Sequence, residues 1–77
     1  MEDIRLHVRP AGDGWLVDAA GAVEPLVFRS GGRAEAQAHA LARTLARAGQ
    51  FASVLVHDRA QKVVGSTVYP PQAGPLG

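Results

Sequence analysis

From Ile4 to Arg9 apolar and polar residues alternate strictly. Ile4, Leu6 and Val8 fall on one side, and Arg5, His7 and Arg9 on the other. A period of two marks a half-buried strand. Pro10 has no N–H to give to a central ladder, and Ala11-Gly12-Asp13-Gly14 supplies turn chemistry, so the strand is expected to end there. Trp15 to Ala19 reads as a second strand with Trp15 and Val17 toward the core, and Ala20-Gly21 as another tight turn. Val23 to Phe28 reads as a third, weaker strand, which Pro25 assigns to an edge.

The period then changes. Ser30-Gly31-Gly32 breaks the pattern, with Ser30 as a helix cap. Arg33 to Ala48 is rich in strong helix formers, and Ala34, Ala38, Leu41, Leu45 and Ala48 recur as one apolar stripe. Gly49 stands where a helix C-cap is expected. Ala52 to His57, centred on "SVLV", reads as a fourth strand, Asp58 to Gln61 as a connection, and Lys62 to Tyr69 as a fifth strand. "PPQAGPLG" has no pattern. The order predicts one α+β domain over residues 1–69: a three-stranded antiparallel meander, one helix, then a two-stranded hairpin (β-β-β-α-β-β). The helix packs on one face of the sheet, and residues 70–77 form a flexible Pro/Gly-rich tail. Strands three and five are candidate edges; the pairing of strand four is open.

Composition narrows the picture. With 77 residues the chain is near the lower size for a single core without staples. It has no cysteine, which removes disulfides and thiolate metal sites and suits a cytoplasmic protein. Hydrophobic residues make up 47% of it, but much of that is alanine, and there is one Trp, one Tyr, two Phe and one Met. Abundant Ala, Gly and Arg beside a single Lys match the usage of GC-rich bacterial genomes. The net charge of +1 makes no strong case for nucleic acid or an anionic membrane. No apolar run approaches the roughly 18 residues needed to span a bilayer. "MEDIRLHV" is neither a secretory signal nor a basic transit peptide.

Taken in order, the "VxP-GxGW-V" hairpin, a helix of the form "AxAxxxAxxLA", "VLVHD" and a last strand ending in "Y-P-P" resemble a family of small bacterial domains of unknown function. The resemblance runs from Ile4 to Pro71 and is carried by Val8, Pro10, Gly12, Gly14, Trp15, Val17, Ala34, Ala36, Ala42, Val54, Val56, His57, Val63 and Tyr69. It implies five short strands with one covering helix, and no activity. Where that family tends to have Asp-Gly before the last strand, this chain has Ala60-Gln61.

Gly12-Asp13-Gly14 could suggest a phosphate loop, but such loops work at a helix N-terminus, and this one leads into a strand. A hairpin turn is the expectation. His7, His39 and His57 are the only histidines. His39 is expected on the solvent face of the helix near Arg43. His7 and His57 fall on the sheet face away from the helix and meet only if strands one and four are adjacent. With Asp18 and Asp58 the nearest carboxylates, no metal site, catalytic residue or cofactor is assigned. No serine or threonine sits in a nucleophile elbow. The chain is therefore expected not to be an enzyme. Leu16 and Leu55, with His7 and His57 and also Phe51, lie on the second sheet face. They make a candidate interface for a self-associating, non-catalytic interaction module whose partner is a second copy or another protein. The alternative is a nucleic-acid-binding module using Arg5, Arg9, Arg43 and Arg47.

Overall fold

The computed structural model describes residues 3–19 and 23–72. Five strands and one helix follow one another as β1 (Asp3–Ala11), β2 (Gly14–Ala19), β3 (Val23–Phe28), α1 (Gly31–Arg47), β4 (Phe51–His57) and β5 (Val63–Tyr69). The element order is the expected one, and β1, β2 and β3 form an antiparallel meander. The sheet as a whole is mixed, not antiparallel throughout. Its spatial order is β3-β2-β1-β4-β5, and β4 docks parallel to β1, in register from Asp3 opposite Phe51 to Val8 opposite Val56. β3 and β5 are the edges. A parallel neighbour needs a crossover connection, and α1 provides it.

Pro10 is a correction. β1 continues through it to Ala11, and Pro10 is buried opposite Trp15. The physical reason lies in the register: the last β1–β4 pair is at Val8. Beyond that point β1 has β2 on one side only, so it behaves locally as an edge and tolerates a missing donor. The two-residue loop Gly12-Asp13 then closes the hairpin, with Ala11 opposite Gly14 and Gly12 at φ 56°. Positive φ at the first central residue is the pattern of a type II′ turn, which matches the twist of the strands it joins. The Ala20-Gly21 turn lies outside the described residues.

The helix is bounded by recognisable chemistry. Ser30 is the N-cap, extended at φ −126° and ψ 148°, and its hydroxyl accepts from the Arg33 amide at 3.1 Å. The helix starts two residues earlier than expected, with Gly31 and Gly32 as its first turn. At the other end Gly49 adopts φ 88°. Its N–H donates to Ala46 O and that of Gln50 to Leu45 O, both at 3.0 Å, which together make a Schellman cap.

The core lies between α1 and one sheet face. Leu6, Val8, Val17 and Val54 are its largest fully buried side chains, and Ala19 and Ala52 complete the sheet side. The buried helix stripe is Ala34, Ala38, Ala42 and Ala46, spaced by four. Here too the expectation changes: Leu41 and Leu45 are only partly buried at the flanks, and Ala48 is exposed as the C-cap. A residue without side-chain bulk at each contact lets the helix backbone lie close on the sheet. Trp15, Phe28, Ile4, Val56 and Tyr69 pack round this centre.

Pro70 to Gln72, expected in the tail, turn back to the helix end. The Gln72 N–H donates to Ala46 O at 2.9 Å, and Pro71 is half-buried. Residues 73–77 lie outside the described residues. The connection between β4 and β5 is a three-residue turn with a bulge. The Asp58 N–H donates to Lys62 O, and the Asp58 carboxylate accepts from the amides of Ala60 and Lys62 at 2.8 and 3.0 Å. Gln61 takes the left-handed position at φ 62°, where a glycine would sit without strain.

Candidate functional site

The strand parities that bury Leu6, Val8, Val17 and Val54 send their neighbours to the opposite side. Arg5, His7 and Arg9 of β1, Leu16 and Asp18 of β2, and Phe51, Ser53, Leu55 and His57 of β4 all face away from α1. Because β1 and β4 are neighbours, His7 and His57 meet on this bare side. His7 Nδ1 lies 2.9 Å from His57 Nε2. The ring centroids are 5.2 Å apart with an interplanar angle of 34°. At that centroid separation the two nitrogens sit close to the line joining the rings. The lone pair of one therefore points at the other, as in a hydrogen bond in which one imidazole carries the proton and donates it.

That geometry does not suit a metal. A shared ion would need each nitrogen about 2.0–2.1 Å away, with both lone pairs converging on it rather than on each other. Among the described residues no group of three or more His, Asp or Glu comes together to hold a metal ion.

His57 Nδ1 is buried without a partner. Burial is the main cause that lowers the His7 pKa below its ordinary value. A charge on His57, Arg9 and Arg5 acts in the same direction, and Asp18 opposes them. A doubly protonated pair would set two donors face to face and lose the bond. Since the folded pKa of His7 is lowered, the folded state binds protons less readily than the unfolded chain. The contribution to stability is full above the unfolded value of about 6.5 and is lost as pH falls through the folded one. Urea unfolding repeated at a series of pH values is expected to show stability falling on acidification through that window. His7→Gln is expected to flatten the dependence.

Beside the pair, Arg9 Nη2 contacts the Asp18 carboxylate at 3.2 and 3.4 Å, and Arg9 Nε is buried without a partner. Arg5 reaches Asp3 at 3.7 Å in an exposed pair. Leu16 and Leu55 are half-buried on the same side, Leu16 opposite Arg9 and Leu55 opposite His7. The four residues expected to form an interface, Leu16, Leu55, His7 and His57, thus share one surface.

The arginines do not. Arg5 and Arg9 lie on the bare side, while Arg43 and Arg47 are exposed on α1, which covers the other face. His39 is not a solvent residue near Arg43 as expected. It is half-buried, and its Nδ1 meets the Tyr69 hydroxyl at 2.6 Å with the rings edge to face. Tyr69 ends β5 on the helix side, a position that strand order sets and local pattern does not reveal. An open groove beside the helix start is lined by Val27, Phe28, Arg29, Ser30 and Arg33. Among the described residues, the buried side-chain atoms without a partner lie elsewhere, on Arg9 and His57.

Sequence reasoning missed the exposed valines. Val27 of β3 and Val63, Val64 and Val68 of β5 are 73, 48, 61 and 56% exposed. A signal was present: from Val63 to Tyr69 the chain has no charged residue.

No family model, curated protein or solved structure matches the chain. Among the described residues no helix is long and apolar enough to cross a membrane.

Proposed function

We propose that the chain is a non-catalytic interaction module that self-associates and presents the bare side of its sheet to its partners. The observation that supports this most is the one-sided cover. One helix shields one face of a five-stranded sheet, while the other side and the β5 strand leave Val27, Val63, Val64 and Val68 exposed. On so small a domain exposed apolar area of this kind marks an interaction surface. Leu16, Leu55, His7 and His57 lie near its centre, and Phe51 is on the same side at the far end of β4. The chemistry is that of a surface: an imidazole pair, an ion pair and half-buried leucines. A cytoplasmic setting in a bacterium suits its composition, which is rich in Ala, Gly and Arg and free of cysteine.

Light scattering over a concentration series tests the reading. Mass is expected to rise with concentration and to change little with salt. A protein that stays monomeric at every concentration and is held on heparin until salt is raised would favour the nucleic-acid alternative, since phosphate contacts weaken steeply with salt. The placement of Arg5 and Arg9 on one side and Arg43 and Arg47 on the other weighs against that alternative, because no single strand of nucleic acid lies along all four.

A further inference from the structure

The two edges of the sheet are built differently. β3 carries Glu24 and Pro25 where its register against β2 slips between Val17 and Ala19. Charge, proline and irregular register are the devices by which sheets keep an edge from pairing with another chain. β5 has neither charge nor proline from Val63 to Tyr69, and of its seven residues only Gly65 and Tyr69 are half-buried, the rest being exposed. Its one irregularity is the bulge at its start, where Gly65 pairs with Val56 and Val63 with His57, leaving Val64 as the extra residue. The helix packs chiefly on β4, β1 and β2, so it does not cover this edge.

We propose that β5 pairs antiparallel with β5 of a second copy, across a two-fold axis at Ser66, to give one ten-stranded sheet. The inference rests on the preceding reading that the chain self-associates, and it names the partner and the contact. β5 is complementary to itself about Ser66. In that register Val64 lies opposite Val68 of the partner subunit, and the reciprocal pair repeats it. Gly65 faces Thr67 of the partner subunit, and Ser66 faces Ser66 of the partner subunit. Lys62 falls opposite Pro70 of the partner subunit, so no like charges meet. Cross-strand apolar pairs of this kind are the unit of sheet stabilisation. The number of open edges sets the stoichiometry: with β3 blunted, each chain offers one edge, and pairing closes at two copies instead of running on into a fibre. The two bare sides then become a single continuous surface.

The test uses Val64 and Val68, whose exposure lets them change without disturbing the monomer. Wild-type protein is expected to be a dimer at high concentration by light scattering. Val64→Lys with Val68→Lys sets lysines opposite each other twice and is expected to give a monomer with wild-type far-ultraviolet circular dichroism and melting behaviour. Val64→Lys with Val68→Glu sets opposite charges across the same register and is expected to restore the dimer. Leu55→Glu, one strand away from the edge, probes the rival contact, a stacking of the bare faces. A wild-type monomer at every concentration overturns both this inference and the reading beneath it. A double-lysine variant that remains dimeric, beside a folded and monomeric Leu55→Glu, overturns the edge alone and leaves self-association by stacking of the bare faces. Should the double-lysine variant unfold, the Lys/Glu variant decides: folded and monomeric, it overturns the pairing.

Discussion

Trp15→Ala is expected to lower the unfolding free energy by about 3–5 kcal/mol, the usual cost of deleting a large packed aromatic. The side chain is half-buried, yet it closes one end of the space between sheet and helix. It packs on the core cluster, and a Cβ built on Gly31 would stand 3.0 Å from its Cε2. The first turn of α1 therefore rests directly on the indole, and removing it undermines the helix start as well as the core. Small domains hold only about 5–15 kcal/mol in total, and one with so few large side chains sits at the low end. The variant is expected to be largely unfolded near body temperature, as chemical denaturation read by circular dichroism will show. In the wild-type protein the same tryptophan reports on its surroundings: its emission is expected to be blue-shifted when folded and to move red on unfolding. A Trp15→Ala protein with the wild-type melting temperature would place the stability elsewhere.

Ala42→Leu is expected to destabilise by about 1–3 kcal/mol, although leucine is an excellent helix former and more hydrophobic. Ala42 is 0% exposed, in the middle of the alanine row that meets the sheet. Added methylenes there have nowhere to go, so the helix must lift or side chains must leave their rotamers. The control is Leu41→Ala, at the half-buried flank, which is expected to cost less than a fully buried leucine would. If Ala42→Leu melts higher than wild type, the helix is less closely seated than described.

That pair of residues shows where sequence reasoning stops. The strands were legible because a period of two sorts residues onto two faces without knowledge of neighbours, and the parities of β1, β2 and β4 came from it. The helix was legible from its caps, since Ser30 and Gly49 act within one turn. The choice between leucine and alanine as the contact row was not legible, because it depends on how closely a helix approaches a sheet. Hydrophobicity favoured Leu41 and Leu45, but close packing selected Ala42 and Ala46. The histidine pair needed β1 beside β4, and a parallel pairing leaves no turn between the strands to read. His39 was misplaced for a related reason: its partner Tyr69 arrives on β5 only after β4 has taken its place.

The central position of β1 has a consequence for how the chain acquires its structure. The β1–β2 hairpin closes over a two-residue loop, but His7 and His57, near the end of the β1–β4 pairing, are fifty residues apart. Closing a span of that length costs roughly 2 kcal/mol more entropy than closing a hairpin of a few residues, and distant pairings of this kind set the pace of folding. During synthesis the hairpin can form early, yet its inner margin stays unpaired until residues past His57 have left the ribosome. The strand made first is thus completed late, and the slow step of folding is expected to be the arrival of β4 in the gap beside it.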